Sequence, residues 1–168
     1  LRHFVSRNAF DIEGLGRKHI EAFWRDGLIR SPADIFRLGD RVEEFAEREG
    51  WGEQSVANLL AAVEARRRIG LDRFIYALGI RQVGQATARL LAKTYVSLLA
   101  FTRDMQRAED RDSEEYQALE NIDGIGPKVA AMIMRCCCDS ELLKVAAPAA
   151  PACSACRNSL SNGRISTK

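Results

Sequence analysis

Ile12-Glu13-Gly14-Leu15-Gly16 and Ile122-Asp123-Gly124-Ile125-Gly126 are two copies of one phrase, an apolar residue and an acid followed by Gly, an apolar residue and Gly. Glu49-Gly50-Trp51-Gly52 repeats its end, and Arg81-Gln82-Val83-Gly84 repeats it with Gln82 in the first glycine position. The closing glycines Gly16, Gly52, Gly84 and Gly126 are 36, 32 and 42 residues apart. Recurrence near this period marks stacked supersecondary units. The first Gly of such a phrase can end a helix in the left-handed conformation, where a side chain would clash. The middle apolar residue (Leu15, Trp51, Val83, Ile125) turns inward, and the second Gly opens the next helix. That unit is a helix-hairpin-helix.

Such a hairpin has a chemistry. The first N–H groups of a helix have no partner within it and lie at the positive end of its dipole, so they favour phosphate. A glycine without a Cβ lets phosphate approach, and the contact reads no bases. One Gly-apolar-Gly is equally the mark of a plain interhelical turn. Four copies, each with an apolar residue four positions on (Ile20, Val56, Ala88, Ala130), point to nucleic acid. The residues expected to bind DNA are Gly14, Gly16, Arg17 and Lys18 in the first copy and Gly50, Gly52, Gln54 and Ser55 in the second. Arg81, Val83, Gly84 and Gln85 follow in the third, and Gly124, Gly126 and Lys128 in the fourth.

Strand signals are scarce across the 168 residues, of which 46% are hydrophobic and 29% charged, so the expected fold is all-α. Four tandem hairpins are expected to form one compact DNA-binding domain over 1–138. Helices are expected near 17–25, 32–37, 40–48, 53–69, 71–78, 85–94, 96–102, 113–120 and 127–137. Ser31-Pro32 supplies a cap and a proline at the first helical position. Val56, Leu59, Leu60 and Val63, and likewise Ala88, Leu91, Ala92 and Tyr95, have the spacing of core-facing stripes. Leu1–Arg7 reads as the end of a helix begun upstream, which together with the non-Met start suggests a fragment. Asp104–Glu115 reads as a loop plus a helix start. Trp24 and Trp51 fall where hairpin cores need a large plug.

Charge is the awkward feature. Of 25 basic and 23 acidic residues, 4 and 2 lie in Cys136–Lys168, leaving 21 of each over Leu1–Arg135. A protein that binds DNA through a carpet of Lys and Arg should be basic. Backbone amides with a few local cations (Arg17, Lys18, Arg81, Lys128) are the alternative. Arg66-Arg67-Arg68 is a tempting DNA contact, and equally a favourable charge at a helix C-terminus. His3 and His19 have no partner at ligand spacing, so no catalytic residue and no metal ligand is assigned. No apolar run is long enough for a bilayer and no leader pattern is present, so a cytoplasmic location is expected. From 139 to 168 the Ala/Pro, Ser and Asn composition predicts a disordered tail. Cys153-Ser154-Ala155-Cys156 has the spacing of half a zinc site, but Cys136-Cys137-Cys138 is not the usual second half, so free thiols are expected.

The phrase Leu1-Arg2-His3-Phe4-Val5-Ser6-Arg7-Asn8-Ala9-Phe10-Asp11 leading into the first hairpin resembles the helix-hairpin-helix domain of bacterial NAD-dependent DNA ligase, just after that family's zinc module. The resemblance continues through Gly50–Leu60, Phe74–Gly84 and Leu119–Pro127, roughly four-fifths of the chain. It implies a segment that grips duplex DNA along the minor groove around a nick, in replication and repair. It implies a monomer working with upstream catalytic, OB and zinc modules. Family members seal nicks with NAD, magnesium and zinc, through a Lys-x-Asp-Gly motif that has no counterpart here, so this segment is expected to bind no cofactor and to be inactive alone. The tail does not match the family's continuation toward a BRCT domain, as a truncated or frame-shifted product would not. A non-enzymatic helix-hairpin-helix module of a repair or junction-binding protein is the alternative. A helical protein-interaction domain, with the glycines serving only as turns, is a third reading.

Overall fold

Two compact units divide the chain in the computed structural model, Leu1–Gly79 and Ile80 onward. The structure describes residues 1–108 and 111–139. All regular elements among them are helices, as expected. In the first unit these are α1 (Arg17–Arg25), α2 (Pro32–Ile35), a 3-10 helix (Leu38–Glu44), α3 (Glu53–Ala65) and α4 (Leu71–Ala77). In the second they are α5 (Gln85–Tyr95), α6 (Leu98–Arg107), α7 (Glu114–Glu120) and α8 (Pro127–Asp139).

Local chemistry sets the helix starts. The Ser31 backbone N–H and hydroxyl both donate to Asp34 Oδ2, at 2.7 and 2.9 Å, closing a capping box ahead of Pro32. Burial works to raise the Asp34 carboxyl, but the backbone N–H groups of Arg30 and Ser31 and the Ser31 hydroxyl outweigh it and hold the group below its ordinary value. Ser97 caps α6 and Ser113 caps α7 through their hydroxyls. The expected stripes are buried at Val56, Leu59 and Val63 on α3 and at Ala88 and Leu91 on α5.

The first unit's core is aromatic. Phe23 and Phe45 are fully buried, and Phe4 and Phe10 stack with centroids 4.1 Å apart. The second unit's core is mainly aliphatic and thioether, around Leu91, Phe101, Met105, Leu119 and Ile133.

Four expectations need correction. Leu1–Arg7 is a set of turns, not a helix end, because Phe10 N–H bonds back to the Phe4 carbonyl (3.0 Å) and folds the segment over its own stacked rings. The helix expected at 40–48 is the 3-10 element, broken at Arg41 (φ −128°), whose guanidinium is drawn to the Leu28 carbonyl at 2.6 Å. α3 stops at Ala65, where Arg66 turns away to Asp11. α6 runs on to Arg107, into the stretch expected as a loop, because Phe101, Met105 and Ala108 are all buried at helical spacing. The expected tail, with Cys153 and Cys156, lies outside the described residues.

Candidate nucleic-acid interface

The four glycine phrases share one backbone geometry. Gly14, Gly50, Gln82 and Gly124 are left-handed, at φ 81°, 85°, 68° and 86°. The next residue's N–H then donates to the carbonyl three positions back: Leu15 to Ile12, Trp51 to Arg48, Val83 to Ile80 and Ile125 to Ile122. The closing glycine accepts the first helical bond in each case, from Ile20, Val56, Ala88 and Ala130. Those four donors are buried, and so are Leu15, Val83 and Ile125, while Trp51 is half-buried. Gln82 thus takes a glycine's conformation without being one.

The closing glycines differ from the opening ones in what they demand. Gly16, Gly52 and Gly84 have extended backbone (φ −71°, −111° and −86°) that any residue adopts. A Cβ built on Gly16, Gly52, Gly84 or Gly126 meets nothing within 4 Å. Neither torsion nor packing inside the protein requires glycine at these places. None of the first three carries a side-chain capping bond, although Ser, Asn or Asp would supply one there. Each helix therefore begins with bare N–H groups beneath an unobstructed surface. For α1, α3 and α5 these are the first three amides. For α8 the supply is smaller: Pro127 has no N–H, and Val129 N–H already bonds to the Gly126 carbonyl at 2.9 Å, leaving that of Lys128.

A helix-hairpin-helix motif model matches residues 73–141. A DNA ligase of Rhodospirillum rubrum is 57% identical over 136 residues, covering 77% of this chain and 20% of that protein. A DNA ligase of Cereibacter sphaeroides is 56% identical over 138 residues, 80% of this chain and 20% of that protein. One of Parvibaculum lavamentivorans is 53% identical over 138 residues, 80% of this chain and 19% of that protein. Over four-fifths of its length the chain is a homologue of the DNA ligases. It spans about a fifth of the length of these relatives.

Within this ligase homologue the expected binding residues are not equivalent. Gly14, Gly16, Gly50, Gly52, Gly84, Gly124 and Gly126 are exposed. Lys18, Arg81 and Lys128 are exposed and make no ion pair among the described residues. Arg17 is exposed, but its Nε lies 2.9 Å from Glu21 Oε1. That hydrogen bond is the main reason the Glu21 carboxyl sits below its ordinary value, with Arg17, Arg2 and Arg25 adding attraction. Gln54 spends its amide on Asn58 Oδ1 (2.9 Å), whereas Ser55 and Gln85 face solvent. Val83 is a core plug, with its side chain buried and its N–H used inside the turn.

Other side chains occupy unexpected places. Trp24 is 47% exposed, beneath the Arg30 guanidinium 5.2 Å from its ring, and is not a core plug. Trp51 is one, packed against His19, Phe23 and Phe45. Arg66 pairs with Asp11 at 2.9 Å, and Arg67 bonds to Glu64 and to the Phe36 carbonyl, so two of the three consecutive arginines hold the fold together. Sequence reasoning missed Arg89 on α5, which is exposed and without an ion pair among the described residues. A signal for it exists, since no Asp or Glu occurs from Ile80 to Arg103.

The groups that the family resemblance implies do not fit these residues. No Lys here precedes x-Asp-Gly, and among the described residues no three His, Cys, Asp or Glu side chains are grouped to hold a metal. No helix among them is long and apolar enough to cross a membrane.

Proposed function

We propose that residues 1–138 are a DNA-binding segment of an NAD-dependent DNA ligase, and that they grip the phosphate backbone of duplex DNA around a nick. The observation that carries this is that a Cβ on the closing glycines Gly16, Gly84 and Gly126 would meet open space, in hairpins that also carry an exposed cation without an ion pair among the described residues. Glycine is not needed there by the fold, and its absent side chain leaves helix N-termini open to phosphate. Arg81, Arg89, Lys18 and Lys128 add local positive charge in a segment, Leu1–Arg135, that has 21 basic and 21 acidic residues. Because phosphates carry no base identity, affinity is independent of sequence. The chain acts as a monomer, as one part of a larger clamp whose nucleophilic lysine lies elsewhere. Given NAD and nicked DNA, it neither acquires AMP nor seals the nick.

The deciding experiment is equilibrium binding of the chain to nicked duplex. Gly84→Val puts a branched side chain into the open space without straining the backbone, so thermal stability holds while affinity falls on the order of tenfold, the worth of a charge-assisted hydrogen bond. Unchanged affinity for Gly16→Val, Gly84→Val and Gly126→Val alike would overturn the reading.

A further inference from the structure

The second hairpin has the backbone of a phosphate site in surroundings that oppose one. From Asp40 to Glu53 there are six acids (Asp40, Glu43, Glu44, Glu47, Glu49, Glu53) and two arginines. Both arginines are committed. Arg41 pairs with Glu44 and reaches the Leu28 carbonyl, and Arg48 pairs with Asp26 while donating to the Glu44 carbonyl. Glu49 and Glu53, immediately flanking Gly50-Trp51-Gly52, are exposed and make no ion pair among the described residues. A phosphate arriving at the α3 N-terminus would face two unneutralised carboxylates, and charge of one sign repels its like. Gln54, on the first turn of α3, is already bonded to Asn58, which leaves Ser55 as the exposed neutral donor there.

What this hairpin has instead is an inward connection. Trp51 lies 4.7 Å from the His19 ring, 5.5 Å from Phe23 and 5.2 Å from Phe45, centroid to centroid. His19 in turn donates from Nδ1 to the Gly14 carbonyl at 2.8 Å. The Gly14 carbonyl belongs to the left-handed turn of the first hairpin. A contiguous path of ring packing and one hydrogen bond therefore runs from the second hairpin's middle residue to the first hairpin's turn.

We propose that the second hairpin makes no phosphate contact and is a strut: Trp51 supports His19, and His19 positions the turn at Gly14 that feeds the open α1 N-terminus. This rests on the phosphate-binding reading of the other hairpins. Three glycine variants of the full chain separate the two claims, with binding to nicked duplex measured beside thermal unfolding. Gly16→Val and Gly84→Val weaken binding on the order of tenfold. Gly52→Val, whose Cβ also meets open space, changes it less than twofold. Equal weakening by Gly52→Val overturns the strut and leaves the phosphate reading intact, whereas no effect from any of the three overturns the phosphate reading itself. His19→Ala weakens binding several-fold, and His19→Asn, which places an amide N–H near the imidazole Nδ1–H, restores it. Unaltered binding by His19→Ala, with the melting temperature held, shows that the turn needs no support and also overturns the strut.

Discussion

Gly50-Trp51-Gly52 and Gln82-Val83-Gly84 make the same turn with opposite resources. Both have a left-handed first position, an inward middle residue and a closing glycine that caps the next helix. Around the second hairpin lie six acids in fourteen residues, while from Ile80 to Arg103 there are four basic residues and no acid. Trp51 is wedged among three rings, whereas Val83 is a small aliphatic plug. The difference shows that one turn geometry can be set in opposite charge surroundings. Backbone torsions and one buried side chain build the hairpin, and the side chains on its rim decide whether an anion is welcome. On the phosphate-binding proposal, a chain with a net charge of only +2 binds DNA where exposed cations adjoin open helix N-termini.

The largest effect should come from the two plugs. Trp51→Ala removes the ring that joins His19, Phe23 and Phe45, and unfolding in denaturant should show a loss of about 3 kcal/mol. Val83→Ala removes two methyl groups from a smaller packing site and should lose roughly 1–2 kcal/mol. Equal losses would break the contrast between a strut and an ordinary hairpin.

Charge comes next. Replacing Arg81 and Arg89 together by Gln should weaken binding to nicked duplex about tenfold or more in moderate salt. The steepness of its salt dependence should fall by roughly one for each phosphate no longer neutralised. The same treatment of Arg66 and Arg67 should act on stability, since both are bonded within the first unit. If Arg66 and Arg67 control binding and Arg81 and Arg89 do not, the site has been assigned to the wrong face.

These two hairpins also mark what the sequence can and cannot tell. The turns are legible because glycine spacing is a local code. The left-handed torsion at Gln82, where the glycine itself is missing, is a finding of the structure, because the phrase alone says only that a side chain there would clash. Helix starts with chemical caps, such as Ser31-Pro32, are legible as a local code too. Elements governed by contacts distant in sequence are not. Arg66 ends α3 by reaching Asp11, 55 residues away, and no window over 53–69 contains that information. Leu1–Arg7 has helical spacing, but the stacking of Phe4 on Phe10 bends it into turns. The size of Trp24 suggests core, yet at 47% exposure it serves as a platform for Arg30. Which arginines near the four hairpins are already occupied is likewise revealed only by the folded chain.

The odd glycine position gives a smaller and cleaner comparison. Gln82 at φ 68° bears the steric cost that Gly50 at φ 85° avoids. Gln82→Gly should therefore stabilise the chain by about 1 kcal/mol, and Gly50→Gln should destabilise it by a similar amount. Stability curves for the two variants should move in opposite directions, with DNA affinity little changed by the first. A loss of stability in Gln82→Gly would mean that the glutamine side chain makes a compensating interaction and that the third turn is not equivalent to the others.

The smallest effect lies in how the chain approaches each hairpin. The third is approached by α4, whose start at Gly70 has no side-chain cap. The second is approached through α2 and the 3-10 helix, and that approach is fastened by the Ser31–Asp34 capping box. Asp34→Ala should cost roughly 0.5–1 kcal/mol at neutral pH, as capping losses do. Its sign with pH follows from the direction of the shift. The folded chain holds the Asp34 carboxyl below the ordinary 3.8, so the charged group's contribution is fully present above that value and fades as pH falls through the folded one. The difference between Asp34→Ala and the parent chain should therefore narrow on acidification, when urea midpoints are compared at pH 7 and near pH 3. A gap that stays constant, or widens, would show that the carboxylate's hydrogen bonds to Ser31 are not what steadies this approach. The two hairpins would then differ only in their rims and their plugs.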